Sequence, residues 1–236
     1  MAYYNRDYKK LKMSGMNYLD NGGCATVLYN DEMILKEYFC TTLAKFRLTE
    51  KMFDIFKGID NPHLIELFDI YSDFSPIELF KNRIGISSFT VDAYTAKYYP
   101  DNSLNVLFEN KDYILDNFRE LEILFEIFSE NKICTNDVKR ENAIVGKEKI
   151  VIIDPDLFYI SDYTKKEILT INKKNLLELY ESILIASVEY EDNYMNITKF
   201  IYDELANIDI TSDVDVTYEI SQKLKSIKKP IEFFRK

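Results

Sequence analysis

The chain contains no tryptophan and a single histidine, His63. One imidazole excludes a histidine-rich metal site and leaves any Ser-His-Asp or Cys-His mechanism dependent on that residue alone. Cysteine is scarce as well. Cys24, Cys40 and Cys134 are odd in number and have no C-x-x-C spacing, so neither a disulfide framework nor a zinc site is implied. No stretch approaches the ~18 consecutive apolar residues of a membrane span. The opening MAYYNRDYKKLKM lacks an apolar h-region, so no secretory signal is expected. The expected location is the cytoplasm, or a host cell reached without a cleavable signal. Positive charge is in deficit, with 30 Lys and Arg against 40 Asp and Glu and a net charge of −10. A phosphate backbone or an anionic membrane surface would repel such a chain, so neither nucleic acid nor membrane is expected as a partner. Only the C-terminal KLKSIKKPIEFFRK runs basic, and it reads as a solvated helix end. Internal repeats and low-complexity segments are absent.

What is present is a substantial core-forming fraction: 47% of the 236 residues are hydrophobic, including 18 Tyr and 16 Phe. That length favours one domain, or two small lobes sharing one cleft. Residues 15–39 read as short strands, with Asn30-Asp31 as a hairpin turn between two of them. Residues 42–57 read as a helix on the spacing of Leu43, Phe46, Phe53 and Phe56, stopped by Gly58. Residues 64–71 are strand-like, 84–99 hold one or two further strands interrupted near Asp92, and a linker falls near 97–105. Ile114, Phe118, Leu121, Phe125 and Phe128 form a buried stripe, predicting a helix over 111–130. NAIV and KIVIID read as two β runs about the turn GKE, and the chain is helical from 173 onward. The whole predicts an α+β, two-lobe plan: residues 1–98 a β-rich part with one helix, residues 99–236 a mostly helical part around a small hairpin.

The segment ICTNDVKRENAIVGKEKIVIIDPD concentrates the chemistry. Asp137 is followed two residues later by Lys139 and five residues later by Asn142, and Asp154 follows the apolar KIVII twelve residues past Asn142. Singly these are ordinary turn residues. In this order they resemble the catalytic loop and metal-binding motif of the protein kinase superfamily, in a minimal bacterial- or viral-type form. The resemblance covers about residues 15–185. It implies a bilobal kinase-like fold and an ATP-dependent phosphotransferase, with Mg-ATP as cofactor and a hydroxyl group, on a protein or a small molecule, as acceptor. In that resemblance Asp137 orients the hydroxyl and takes its proton, and Lys139 lies by the γ-phosphate. Asn142 and Asp154 supply hard oxygen ligands to Mg²⁺, phosphates and waters filling the remaining positions.

The N-terminal part carries the rest of the likeness. DNGGCATVLY resembles a degraded nucleotide-covering loop, in which Gly22 and Gly23 would let backbone N–H groups approach phosphate. Val27 matches the apolar contact to the adenine ring, Lys36 in MILK matches the strand lysine of the α- and β-phosphates, and Glu50 is its expected helix partner. NPHLIEL resembles the family's His-Pro-Asn-Ile segment in scrambled order, which makes His63 structural.

The chain also departs from the pattern. Thr135-Asn136 replaces the His-Arg before the catalytic Asp, removing the Arg that would grip an activation-segment phosphate. Asp154-Pro155-Asp156 replaces Asp-Phe-Gly, no Ala-Pro-Glu motif follows, and the room for a peptide-docking activation segment is small. Two other readings stay open: a small-molecule kinase of the aminoglycoside phosphotransferase type, which shares the Asp-x₄-Asn spacing and an acidic residue at the place of Asp156, and a pseudokinase acting as a binding module. Lys139 belongs to the protein Ser/Thr kinase version of the loop.

Overall fold

A computed structural model of the chain describes residues 16–21, 23–39, 42–43, 47–71, 92–100, 111–146, 148–188 and 194–226. The architecture is α+β, and the chain divides into two compact units: Met1–Asp60 with Ile65–Pro100, and Asn61–Leu64 with Asp101–Lys236.

The first unit is built on a five-stranded antiparallel sheet of β1 (Asn17–Asn21), β2 (Ala25–Tyr29), β3 (Met33–Tyr38), β4 (Leu67–Tyr71) and β5 (Ala93–Lys97), in the order β1-β2-β3-β5-β4. The β2–β3 hairpin turns where Asn30 predicts it. The Asn30 side-chain oxygen accepts from Glu32 N–H at 2.9 Å and Met33 N–H at 2.8 Å, the short-range competition with the ladder that makes Asn a turn residue. Register then sorts the strands into two faces. Leu28 and Leu35 lie opposite one another and pack with Tyr71 and Ala93, whereas Val27 lies opposite Lys36, which in turn faces Tyr94 on β5.

The helix expected over 42–57 is shorter. Helix α1 spans Glu50–Lys57, with the Thr49 side chain accepting from Met52 N–H at 3.1 Å as its N-cap and Gly58 at its C-terminus. Thr42, Leu43, Arg47 and Leu48 lie outside it, and Phe46 falls outside the described residues. The cause is Arg47, a buried guanidinium that donates to the carbonyls of Thr42 at 3.1 Å and Phe39 at 2.8 Å and pairs with Asp92 at 2.8 Å. A helix starting at residue 42 would use the Thr42 carbonyl itself; here the Arg47 side chain takes it. Met52, Phe53 and Phe56 are the buried face of the helix. The strand expected from residue 64 begins at Leu67; of the expected 84–99 strands, residues 84–91 lie outside the described residues and β5 occupies Ala93–Lys97.

In the second unit α2 spans Lys111–Glu130, as the apolar stripe predicts, although the side chain of Ile114 is not among those described. It is followed by β6 (Ile133–Cys134), a 3-10 turn at Arg140–Asn142, β7 (Ala143–Val145), β8 (Ile150–Ile152) and β9 (Tyr159–Ile160). Helices α3 (Lys165–Val188), α4 (Tyr194–Leu205) and α5 (Val216–Ser226) complete the unit among the described residues. Strand β7 pairs antiparallel with β8, and β6 with β9. Helix α3 begins at Lys165, earlier than the 173 expected. Thr164 and Glu167 form a reciprocal capping box, Thr164 N–H donating to Glu167 at 2.8 Å and Glu167 N–H to Thr164 Oγ1 at 3.3 Å.

Helices α2 and α3 make the core of this unit. Phe118 stacks on Tyr180 with ring centroids 3.7 Å apart, and Phe125, Phe128, Leu176, Leu179 and Ile183 are fully buried around them. Removing one such side chain typically costs 2–5 kcal/mol. A charged node is buried in the same layer: Glu122 accepts from Val216 N–H and Thr217 N–H, each at 3.0 Å, capping α5, while Lys173 Nζ lies 3.4 Å from Glu122 and donates to the Val214 carbonyl at 2.6 Å.

Candidate active site

Strand β6 leads into an irregular loop, 135–139, which the 3-10 turn closes. Asp137 sits in that loop with φ 52°, a left-handed backbone uncommon for a residue with a Cβ and more accessible to Asp than to most. Two neighbours hold its carboxylate. Lys139 Nζ is 2.9 Å from Oδ1; Asn142 Nδ2 donates to Oδ2 at 3.2 Å and to the Asp137 backbone carbonyl at 2.7 Å. The five-residue spacing is therefore the span of one tight loop whose ends meet. With its Nδ2 engaged, the Asn142 amide turns its Oδ1 the opposite way, where it can serve a hard cation.

Asp154 joins this group through the backbone. The hairpin β7–β8 runs back past the loop, and Ile153 N–H donates to the Asn142 carbonyl at 3.0 Å, so Asp154 follows immediately on a residue bonded to Asn142. The Lys139 ammonium is held above its ordinary pKa first by its hydrogen bond to Asp137; desolvation opposes this, and the charges of Asp137, Glu141 and Asp154 add to the upward shift. Asp137, Lys139 and Asp154 are thus linked electrostatically, and Asn142 joins them through its hydrogen bonds to Asp137. Among the described residues there is no group of three His, Cys, Asp or Glu side chains able to hold a metal ion. A Mg²⁺ that takes one or two protein oxygens and completes its shell with phosphate and water does not require one, and the Asn142 and Asp154 oxygens fit that need.

Strand β8 is fixed from three sides. Asn117 Oδ1 accepts from Ile150 N–H at 2.8 Å, the His63 ring nitrogen Nδ1 lies 2.8 Å from the Ile150 carbonyl, and Ile152 N–H donates to the His63 carbonyl at 2.8 Å. An acceptor at Nδ1 requires the proton there, and burial lowers the imidazole pKa, so His63 is a neutral, structural donor. Beyond Asp154 the chain has little slack. Phe158 N–H closes a turn on the Pro155 carbonyl at 3.0 Å, β9 pairs with β6, Ser161 N–H donates to the Lys132 carbonyl at 2.9 Å, and α3 starts at Lys165. This is shorter than the interval expected from the sequence.

In the first unit, Val27 and Lys36 share one sheet face as cross-strand partners, and Lys36 Nζ lies 5.9 Å from the centre of the Tyr38 ring. Glu50 is the first residue of α1 and half-buried. A Cβ at Gly23 would meet nothing within 4 Å, so packing does not account for glycine there, and Gly22 lies outside the described residues.

Side chains of α3 that no sequence motif marks support the loop. Asn172 is fully buried; its Oδ1 accepts from Thr135 N–H at 2.8 Å and Thr135 Oγ1 at 3.0 Å, and its Nδ2 donates to Ser129 Oγ and the Ile133 carbonyl, each at 2.9 Å. The signal was available: Asn172 sits on the apolar stripe of Ile168, Leu176, Leu179 and Ile183, where an amide without partners would be costly. Neither a protein-family model nor a curated protein sequence matches this chain.

Proposed function

We propose that the protein is a protein-kinase-like phosphotransferase that moves the γ-phosphoryl group of Mg-ATP to a hydroxyl acceptor. The first unit is its nucleotide-covering lobe and the second its catalytic lobe. The observation that carries the reading is the arrangement about Asp137, in which a lysine and an amide five residues on engage opposite oxygens of one carboxylate while Asp154 lies next in line. In the first unit, Lys36 on the third strand, with Val27 opposite and a helix following, supports a nucleotide-binding role for both.

The acceptor hydroxyl donates to the Asp137 carboxylate, which takes the proton as the acceptor oxygen bonds to the γ-phosphorus. The bond from that phosphorus to the β–γ bridging oxygen breaks, and ADP leaves. Lys139 offsets charge on the transferred group. Asn142 and Asp154 would hold Mg²⁺, which would supply neutralisation of phosphate charge there. Lys36 serves the α- and β-phosphates, Glu50 is the partner proposed for Lys36, and the backbone at Gly22 and Gly23 covers the nucleotide. Lys139 favours a Ser/Thr protein acceptor. The short, tied segment after Asp154 favours a small hydroxyl compound as the second reading.

The test is a melt with Mg-ATP beside a measurement of ADP formation. Saturation at 100 times the dissociation constant is expected to stabilise the fold by about 2.7 kcal/mol. No shift at millimolar Mg-ATP would sink the reading, and a shift without ADP formation would leave a nucleotide-binding pseudokinase.

A further inference from the structure

Helix α3 touches the loop at both ends. Asn175 Nδ2 donates to the Thr135 carbonyl at 2.6 Å and to Thr135 Oγ1 at 3.0 Å. Two turns further along the same helix, Ser182 Oγ accepts from Arg140 N–H at 2.9 Å and donates to the Leu179 carbonyl at 2.8 Å. Asp137, with its left-handed backbone, lies between these two attachment points, and Asn142 lies two residues beyond the second. A non-glycine residue holds such a backbone only where its surroundings over-determine it.

From this we infer that Asn175 and Ser182 are positioning residues for phosphoryl transfer: α3 grips the loop on each side of Asp137 and sets where its carboxylate and the Asn142 amide stand. The inference rests on the phosphotransferase reading. It goes further by dividing the work between the two contacts. Asn175 acts on the side of the loop that carries the base, whereas Ser182 fixes the first residue of the 3-10 turn that ends in the metal-ligating Asn142. Displacement of about 1 Å at a reacting group is enough to cost roughly 10²-fold in rate.

The measurement is ADP release from Mg-ATP, with water as the acceptor, at varied ATP and varied Mg²⁺. Asn175→Ala is expected to lower kcat about ten-fold or more, with the KM for ATP and the Mg²⁺ requirement within about two-fold of the parent. Ser182→Ala is expected to lower kcat and also to raise the Mg²⁺ concentration needed for half-maximal rate. Ser182→Thr, which keeps the hydroxyl, restores both. A purely structural role would lower the melting temperature without this split. If Ser182→Ala does not fold, Ser182→Cys keeps the volume and weakens the acceptor, and carries the same comparison. Asp137→Asn separates the two levels. Parent turnover that Asp137→Asn abolishes but Asn175→Ala and Ser182→Ala leave intact overturns the inference alone. A parent without Mg-ATP turnover overturns the reading beneath it, and the inference with it.

Discussion

Asn142 donates to Asp137 twice, to its backbone carbonyl at 2.7 Å and to its carboxylate at 3.2 Å, so the residue proposed for the metal also fixes the residue proposed for the proton. The two cannot be independent. Asp137→Asn is expected to cut turnover by roughly 10²–10⁴ while leaving ATP affinity within a few-fold. In a double-mutant cycle with Asn142→Ala the losses should fall short of additivity, by a coupling of 0.5–3 kcal/mol. Rates for the four proteins decide it, and additive losses would show that the bond between them carries nothing.

Asp154→Asn should behave differently from Asp137→Asn. It removes a negative charge from the proposed Mg²⁺ shell, so nucleotide binding should weaken in Mg²⁺ but not in EDTA. Calorimetry of both variants with and without the metal makes the comparison; equal losses in the two conditions would remove Asp154 from the metal site.

Turnover should not depend on phosphate in the segment 155–164. That stretch is ordered by hydrogen bonds from Phe158 to Pro155, from Ser161 to Lys132 and from Thr164 to Glu167, and on the proposed kinase-like reading Asn136 takes the place of a phosphate-gripping Arg. Protein treated with phosphatase should form ADP at the rate of untreated protein. A ten-fold drop would show that a phosphate is needed after all.

The single histidine gives a pH signature. Burial lowers the His63 pKa in the folded chain, so the unfolded chain binds the extra proton first. The stabilisation is fully present above the unfolded value of about 6.5 and is lost as pH falls from there through the folded value. The melting temperature should therefore drop between pH 7.5 and 5.5, and less steeply in His63→Gln, which keeps a donor for the Ile150 carbonyl without the titration. Identical slopes would place the dependence elsewhere.

Lys173 and Glu122 are the buried ion pair of the second unit. Lys173→Met leaves the Glu122 charge without its counter-ion and should destabilise by roughly 3–5 kcal/mol in urea unfolding. Glu122→Gln in the same chain should return part of that loss. A single-variant cost below ~1 kcal/mol would mean that the amides of α5 already satisfy the carboxylate.

The elements easiest to read from the sequence were those whose residues act locally. The stripe of α2, the Asn30 turn, the paired runs of the β7–β8 hairpin and the Asp137–Asn142 spacing each depend on neighbours within a few positions. The start of α1 differs from the expected one because the apolar spacing of Leu43 and Phe46 continues the helical period, while Arg47 works through carbonyls and through Asp92, 45 residues away. The early start of α3 was visible as Thr164-Lys165-Lys166-Glu167, a capping box hidden by the lack of an apolar stripe beside it. Asn172 is marked in the sequence only as an amide on an apolar stripe, while the partners it, Asn175 and Ser182 take in the loop lie 37 to 42 residues away, a distance at which no local pattern operates.

The grip of Asn172 has a further meaning for how the loop opens. Its hydrogen bonds join the end of α2, strand β6 and Thr135 to α3, so the loop has no folded form apart from that helix pair. The amide protons of Thr135, bonded to Asn172, and Arg140, bonded to Ser182, are expected to exchange only when α3 leaves its place. Their protection factors should follow the cooperative opening of the second unit rather than the fraying expected of a surface loop. Hydrogen exchange at these two amides is a direct thermometer of whether the α2–α3 pair is assembled.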